Sequence, residues 1–179
     1  MTGATGATGM KTTSTLVLGG ARSGKSVYAE KLLAASNKQM VYIATGEARD
    51  DEMSERIELH QSRRGAEWQT IEAPLDVCQA LEQVSDDSIV LLDCVTLWVA
   101  NLMAAERDVV DDVQRFCALL ATLPCDIVIV SNEVGLGIVP DNALARRFRD
   151  EAGRANQMIA DVCDTVVFIA AGQALKMKG

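Results

Sequence analysis

Short apolar runs alternate along the chain with longer stretches in which apolar residues recur at helical spacing. Four of the runs are almost entirely apolar, as expected for strands that helices cover on both faces. The predicted strands span residues 15–18, 40–45, 89–93, 127–132 and 165–170, and a more polar run at 68–72 favours an additional edge strand. The predicted helices span residues 25–35, 51–63, 75–84, 96–105, 109–123 and 142–163. This alternation is typical of an α/β protein with a mostly parallel sheet.

The length of the chain predicts one domain, because 179 residues exceed the roughly 150 of an average domain only slightly. No linker and no internal repeat divides it. Residues 1–10 consist mainly of Gly, Ala and Thr, which bury little surface, and we expect a disordered leader there. Hydrophobic residues make up 49% of the chain and charged residues 23%, which is ordinary for a folded domain. We therefore expect a single nucleotide-binding catalytic domain over residues 11–179, on the motif described below.

Charge and composition exclude several classes of partner. Seventeen Lys and Arg against 25 Asp and Glu give a net charge of −8, which argues against binding to nucleic acid. No apolar run reaches the roughly 18 residues of a membrane span, so we expect no membrane association and a cytoplasmic location. The five cysteines include no Cys-x-x-Cys pair, and we interpret them as reduced core thiols.

The strongest motif lies between the first predicted strand and the first predicted helix. It fits the P-loop pattern G-x-x-x-x-G-K-[ST], in which backbone N–H groups and a helix N-terminus bind phosphates. Lys25 is expected to reach the β- and γ-phosphates, and the Ser26 hydroxyl to hold Mg²⁺. The candidate nucleotide-binding residues here are Gly19, Gly20, Ala21, Arg22, Ser23, Gly24, Lys25 and Ser26.

Two carboxylates follow apolar strands at the edge where α/β proteins bind ligands. Asp93 ends the run at 89–93 and is the Walker B candidate for supporting the metal, and capping of the next helix is compatible with that role. Glu133 follows the run at 127–132, where it either positions a nucleophile or is a structural loop carboxylate. The glycines Gly135 and Gly137 lack the rest of a dinucleotide fingerprint, which predicts a flexible loop.

The single histidine, His60, lies in the predicted helix 51–63. Helical spacing places it on one polar face with Glu52, Arg56 and Arg64. A neutral imidazole is a competent nucleophile toward phosphorus, and neighbouring arginines attract phosphates. The pattern alone equally allows an ordinary surface histidine.

A second positive cluster lies in the last predicted helix. Its arginines either contact phosphates or a neighbouring subunit, or pair locally with Asp150 and Glu151. The cluster comprises Arg146, Arg147, Arg149 and Arg154.

Taken together, the motifs resemble the family of bifunctional adenosylcobinamide kinases/adenosylcobinamide-phosphate guanylyltransferases. The resemblance runs from about residue 16 to residue 178. The segments that carry it are residues 19–26, 42–45, 51–53, Arg56-Ile57 with His60, 93–98 with Asn101-Leu102, 132–140 and 146–157.

This resemblance implies a three-layer, RecA-like P-loop NTPase fold with a mostly parallel central sheet, and a homotrimer. It implies two reactions: a nucleoside triphosphate, ATP or GTP, phosphorylates adenosylcobinamide, and GTP then donates GMP through a covalent histidine intermediate. His60 matches the nucleophile and Lys25 the phosphate-binding lysine. Arg56, Glu72 and Asp93 join the nucleotide-binding residues, with Ser26 and Asp93 at Mg²⁺.

The residues also leave two alternatives open. One is a P-loop kinase with a single activity, in which His60 is a bystander. The other is a nucleotide-dependent switch protein that gates a partner surface. For the bifunctional enzyme, we expect the corrinoid at the carboxyl edge of the sheet, between the P-loop and the loop at 134–141, completed by a neighbouring subunit.

Overall fold

The computed structural model describes residues 12–46, 65 and 67–179. In this part of the chain, one seven-stranded sheet is flanked by helices on both faces. The strands are β1 (Ser14–Gly19), β2 (Gln39–Ala44), β3 (Trp68–Glu72), β4 (Ser88–Asp93), β5 (Asp126–Asn132), β6 (Thr165–Ala170) and β7 (Gln173–Lys178). The helices are α1 (Lys25–Ala34), α2 (Val77–Leu81), α3 (Val95–Ala104), α4 (Val109–Leu120) and α5 (Ala143–Val162).

The sheet has the strand order β3-β2-β4-β5-β1-β6-β7. All neighbouring strands run parallel except β6 and β7, which form an antiparallel hairpin. The prediction of a mostly parallel sheet is therefore confirmed, as is the polar edge strand, which is β3. Because β1 lies between β5 and β6, the P-loop that follows it opens at the carboxyl edge of an interior strand.

Two apolar layers hold the sheet between its helices. On one face, buried residues of α1, such as Ala29 and Leu33, pack against β1, β4 and β5. On the other face, α3, α4 and α5 cover the sheet with a larger cluster. Trp98 of α3 and Phe116 of α4 meet edge to face there, with ring centroids 5.5 Å apart. This sandwich explains why the central strands are apolar on both faces.

The differences from the predicted elements are local. The hairpin strand β7 is absent from the prediction because every one of its residues is exposed, so burial does not impose an apolar pattern. Helix α2 covers only Val77–Leu81 of the predicted 75–84. The predicted helix 51–63 and the predicted leader at 1–10 lie outside the described residues. Within residues 12–46 and 67–179, none of the helices combines the length and apolar character of a membrane span.

The amino end of β1 is held by carboxylates from both neighbouring strands. Asp126, the first residue of β5, accepts hydrogen bonds from the Thr13 backbone N–H at 2.7 Å and from Lys38 Nζ at 2.7 Å. Asp164, just before β6, accepts from the backbone N–H and the hydroxyl of Ser14, at 3.0 and 2.9 Å. These contacts fix the register of the strand that carries the P-loop.

The Asp126 contacts predict a pH-dependent loss of stability in Asp126→Asn. Burial raises the pKa of Asp126, but hydrogen bonds from Lys38 and Thr13 outweigh it, so the pKa lies below its usual value. The stabilisation is therefore present above the unfolded-state pKa of about 3.9 and is lost as the pH falls through the folded-state pKa. Urea unfolding should show a loss of about 1–3 kcal/mol at pH 7 and a smaller loss near pH 3.

The control is Asp150→Asn, because this exposed carboxylate lies 3.7 Å from Arg149 and should change stability little at either pH. An Asp126→Asn loss that is the same at both pH values would contradict the assigned role of the ionised carboxylate.

Candidate nucleotide-binding site

The P-loop begins where β1 ends at Gly19 and closes where α1 begins at Lys25. Three of its residues have positive φ: Gly19 at 153°, Arg22 at 55° and Gly24 at 102°. Gly19 has no room for a side chain, because a Cβ there would lie 2.4 Å from the carbonyl oxygen of Ile169. Such a backbone can turn successive N–H groups toward one concave surface, to which the start of α1 adds its positive dipole end. The loop thus has the shape and polarity of a phosphate site.

Lys25 is the first residue of α1, and only 7% of its surface is exposed. Its Nζ donates a 2.6 Å hydrogen bond to the carbonyl oxygen of Gly20, so the side chain folds back over the loop. Burial lowers the pKa of Lys25, and the neighbouring Cys94 and Asp93 oppose that shift. A cation with reduced hydration interacts more strongly with an anion that enters the loop than a fully solvated one does.

Two serines of the motif complete the loop. Ser26 is half-buried in the first turn of α1, next to Lys25. The hydroxyl of Ser23 is buried and has no hydrogen-bond partner among the described residues. A buried hydroxyl without a partner is unusual, and a phosphate oxygen is one group that can satisfy it. The donors of this loop therefore suit a nucleotide phosphate.

Asp93 is the last residue of β4 and is half-buried at the same sheet edge as the P-loop. The hydroxyl of Tyr42 lies 3.3 Å from its Oδ2 and donates to it. Strand β5 separates β4 from β1, but the charge of Asp93 still acts on the pKa of Lys25. The fold thus brings together three of the predicted residues: a lysine, a serine hydroxyl and a carboxylate.

Glu72 is placed differently. It is exposed at the end of β3, the strand at the edge of the sheet. Four strand spacings separate β3 from β1, or about 19 Å at the usual spacing of 4.8 Å. Glu72 therefore shares the carboxyl edge with the P-loop but does not adjoin it.

A buried network that we call the strand-end clamp joins β2, β3 and β4 at this edge. It consists of Thr45, Cys94 and Asn101. The Thr45 hydroxyl accepts from the Cys94 backbone N–H and donates to the Cys94 carbonyl oxygen, both at 2.8 Å. The Asn101 amide of α3 donates to the carbonyl oxygens of Thr45 and Pro74, at 2.7 and 3.0 Å. The backbone beside Asp93 is therefore fixed to the residues that follow β2 and β3.

Sequence analysis assigned no role to the clamp. Asn101 is a buried polar residue, with 5% of its surface exposed, in a helix whose other residues are apolar except for Thr96. Its position in the helix was a sequence signal for the clamp, because a polar side chain on a buried helix face needs specific hydrogen-bond partners. Which carbonyl groups it contacts depends on long-range packing, which the sequence pattern does not reveal.

A second network connects β5 to the helices. Asn132, which ends β5, donates from Nδ2 to the Thr96 hydroxyl at 2.7 Å. Its carbonyl oxygen accepts from Asn156 of α5 at 3.2 Å, and the Asn156 Oδ1 accepts from the Ser131 hydroxyl at 2.6 Å. Since Asn132 pairs with Gly19 in the sheet, α3 and α5 both support the strand next to the P-loop.

Glu133 and three of the four arginines have local partners. The Glu133 backbone N–H donates to the Gly19 carbonyl at 3.0 Å, and its carboxylate accepts from the N–H of Gly135. Arg146 donates to the carbonyl oxygens of Pro140 and Asp141, which closes the loop before α5. Arg154 lies 3.2 Å from Glu151 and Arg149 lies 3.7 Å from Asp150. The predicted pairing with Asp150 and Glu151 therefore holds for Arg149 and Arg154, whereas Arg146 contacts backbone carbonyls.

His60 and Arg56 lie outside the described residues. In the chain, they belong to the segment that joins β2 to β3. The strand-end clamp contacts the backbone on both sides of that segment, at Thr45 and Pro74.

The cysteines are free thiols, as predicted. Three are buried, whereas Cys78 and Cys117 are only half-buried. Burial and, to a smaller extent, the negative charge of the adjacent Asp93 raise the pKa of Cys94 to about 11, so this residue is a protonated thiol at neutral pH.

Comparison with known proteins identifies the family of this chain. The family model described as "Cobinamide kinase / cobinamide phosphate guanyltransferase" matches residues 15–177. The chain is 46% identical over 167 residues to "Bifunctional adenosylcobalamin biosynthesis protein CobP" of Pseudomonas aeruginosa, covering 92% of this chain and 96% of that protein. It is 43% identical over 180 residues to "Bifunctional adenosylcobalamin biosynthesis protein CobU" of Salmonella typhimurium, covering 91% and 98%.

Among solved structures, the RadB recombinase aligns with a TM-score of 0.50 at 14% identity, covering 87% of this chain and 73% of that one. That likeness concerns the fold alone and agrees with the predicted three-layer, RecA-like P-loop architecture. The family match spans the P-loop, Asp93 and both networks of the sheet edge. This chain belongs to the cobinamide kinase / cobinamide phosphate guanyltransferase family.

Proposed function

We propose that this protein phosphorylates adenosylcobinamide with a nucleoside triphosphate and then transfers GMP from GTP to the new phosphate. The observation that carries the proposal is the P-loop geometry, with buried Lys25 and half-buried Asp93 at one sheet edge, in a chain that matches the bifunctional family over residues 15–177. Membership of the family indicates the class of substrate, and the geometry of the P-loop indicates where the phosphates bind.

In the first reaction, the acceptor hydroxyl oxygen bonds to the γ-phosphorus as the bond from that phosphorus to the β,γ-bridging oxygen breaks. The hydroxyl proton passes to solvent, and the nucleoside diphosphate leaves. Negative charge accumulates on the transferring oxygens and the leaving diphosphate, so donors fixed in advance lower the barrier. Lys25 and the N–H groups at the start of α1 are these donors, and burial keeps Lys25 from being fully hydrated.

The same site suits Mg²⁺. Hydroxyl and carboxylate oxygens are ligands that Mg²⁺ accepts, and it usually combines one or two protein groups with phosphate oxygens and water. Ser26 and Asp93 would hold it, and the bound ion would neutralise charge on the β- and γ-phosphates. The Tyr42 hydroxyl orients Asp93.

For the second reaction, we assign His60 as the nucleophile, on the sequence resemblance alone. Its imidazole nitrogen bonds to the α-phosphorus of GTP, and the bond to the α,β-bridging oxygen breaks, which releases pyrophosphate. A phosphate oxygen of cobinamide phosphate then bonds to the same phosphorus and displaces the histidine. Arg56, one turn before His60 in the predicted helix, and Glu72 are assigned to nucleotide binding.

The corrinoid and the assembly form the remaining part of the proposal. Large aliphatic side chains beside the sheet edge are exposed in the loop after β5 and at the start of α5, with Ile138 98% exposed and Leu136 83%. Such a surface favours contact with a large ligand or a neighbouring subunit. We propose that it borders the corrinoid in a cytoplasmic homotrimer, and the net charge of −8 supports a function without nucleic acid.

Lys25→Ala should lower kcat of the kinase reaction by a factor of about 10² or more, because it removes a fixed cation from the transferring phosphates. The fold should persist, since the Lys25 Nζ donates its hydrogen bond to the loop carbonyl of Gly20 and not to the core. The rate of adenosylcobinamide phosphorylation measures the activity of each variant, and a circular dichroism spectrum checks that the variant is folded. Lys31→Ala is the matched control, because this lysine is exposed on the same helix and its replacement should leave kcat of the kinase reaction unchanged. Near-normal phosphorylation by folded Lys25→Ala would refute the P-loop assignment.

Asp93→Asn should raise the Mg²⁺ concentration that gives half-maximal kinase activity, because an amide keeps the shape but loses the charge that attracts the ion. A Mg²⁺ titration of the kinase rate measures this directly. Asp87→Asn is the control, since Asp87 is an exposed carboxylate just before the amino end of the same strand. An unchanged Mg²⁺ dependence would make Asp93 a structural residue.

His60→Ala should abolish guanylyl transfer while leaving substantial kinase activity, because phosphorylation of a hydroxyl needs no protein nucleophile. Wild-type protein incubated with GTP labelled at the α-phosphorus should retain label in base and lose it in acid, as a phosphoramidate does. GTP labelled at the γ-phosphorus should leave no label in this adduct. An adduct that persists in His60→Ala would exclude this nucleophile, and absence of any adduct in wild-type protein would favour the kinase with a single activity.

A further inference from the structure

The hairpin turn between β6 and β7 contacts the P-loop. The backbone N–H of Gly172 donates a 2.8 Å hydrogen bond to the carbonyl oxygen of Ser23. The two chains are also close at the next residue, because a Cβ on Gly24 would lie 3.3 Å from the Cα of Gly172. A turn at the end of the sheet therefore rests directly on the phosphate-binding loop.

This contact determines the orientation of one peptide unit of the P-loop. In a trans peptide, the carbonyl group of one residue and the N–H of the next point in opposite directions. The Ser23 carbonyl points to Gly172, so the N–H of Gly24 points away from the hairpin. An N–H within a P-loop motif binds phosphate only in the correct orientation, and free rotation of this peptide would cost binding energy.

The turn has the conformation that a tight two-residue hairpin requires. Ala171 and Gly172 have φ values of 51° and 75°, and the flanking residues Ala170 and Gln173 pair in the ladder. Glycine is favoured at this second position by its φ and not by crowding, since a Cβ on Gly172 would have no neighbour within 4 Å. A β-branched residue there would be forced out of this conformation.

Strand β7 contributes little to the core. All six of its residues are exposed, and its far end is attached through Lys178, whose Nζ donates to the carbonyl oxygens of Ala160 and Asp161. An exposed strand of this kind buries little apolar surface. The contact of the hairpin turn with Ser23 is therefore the clearest structural consequence of the hairpin for the site.

We propose that Gly172 is a positioning residue for nucleotide binding: the β6–β7 hairpin holds the Ser23 carbonyl outward and thereby aims the Gly24 N–H at a phosphate. This proposal rests on the assignment of the P-loop as a nucleotide site. It adds a role for the hairpin, which lies outside the P-loop motif itself.

The test compares the affinity of folded variants for Mg·ATP and Mg·GTP, measured by calorimetry without a corrinoid. Gly172→Val should weaken binding about fivefold to tenfold, because the turn leaves its conformation and the hydrogen bond to Ser23 is lost. Gly172→Asn should bind within about twofold of wild type, because asparagine tolerates a positive φ. If Gly172→Val does not fold, Gly172→Ala replaces it, with a smaller weakening in the same direction.

Lys178→Met is the structural control. It removes the two hydrogen bonds at the other end of β7 and should lower the melting temperature while leaving nucleotide affinity unchanged. Three results would each overturn the proposal: normal affinity in the folded valine or alanine variant, an asparagine variant as weak as that variant, or equal weakening by Lys178→Met. Because the readout is binding alone, a wild-type protein that binds nucleotide but does not phosphorylate cobinamide refutes the proposed function and leaves this inference standing.

Discussion

The site depends on a backbone held from both sides. β1 lies between β5 and β6, and at its end Gly19 has no space for a side chain beside the carbonyl of Ile169. Its amino end is fixed by Asp126 and Asp164, one from the start of each neighbouring strand. A phosphate site made of N–H groups requires such support, because the groups bind only while their directions are fixed.

The electrostatic character of the site follows from the position of this backbone. The backbone places Lys25 where burial lowers its pKa, and Asp93 at the end of β4, two strands from β1, opposes the shift. A half-buried carboxylate and a buried lysine at one edge suit a ligand that is both anionic and metal-bound. The arginines of α5 lack this character, since Arg147 and Arg154 are exposed and Arg149 and Arg154 each lie beside a carboxylate of the same helix.

The strand-end clamp extends the same support across the sheet. It connects the backbone at Cys94 with the residues that follow β2 and β3. Each of its hydrogen bonds is modest on its own, but leaving a buried carbonyl without a donor costs about 1–3 kcal/mol. The clamp thus connects β4, which carries Asp93, to the residues on both sides of the segment that contains His60, the residue we assign to the second reaction.

The sequence by itself determined those elements that depend on a short run of residues, such as the P-loop and the buried strands. The eight residues of the P-loop allow a glycine-rich turn at the start of a helix, and the apolar runs predict buried parallel strands because both faces of each strand must be covered. Even the polar edge strand β3 could be predicted, since its composition reflects its half-exposed position. The order of the motifs indicated the family before any contact was known.

Features that depend on contacts between residues far apart in sequence were decided only by the tertiary structure. The sequence did not reveal β7, because an exposed strand needs no apolar pattern, although Gly172 beside Ala171 was a possible turn signal. It did not reveal that Asn101 contacts Thr45 and Pro74, or that Glu72 lies four strands from the P-loop. Strand order and side-chain partners result from how the whole chain packs, so residues far apart in sequence fix them together.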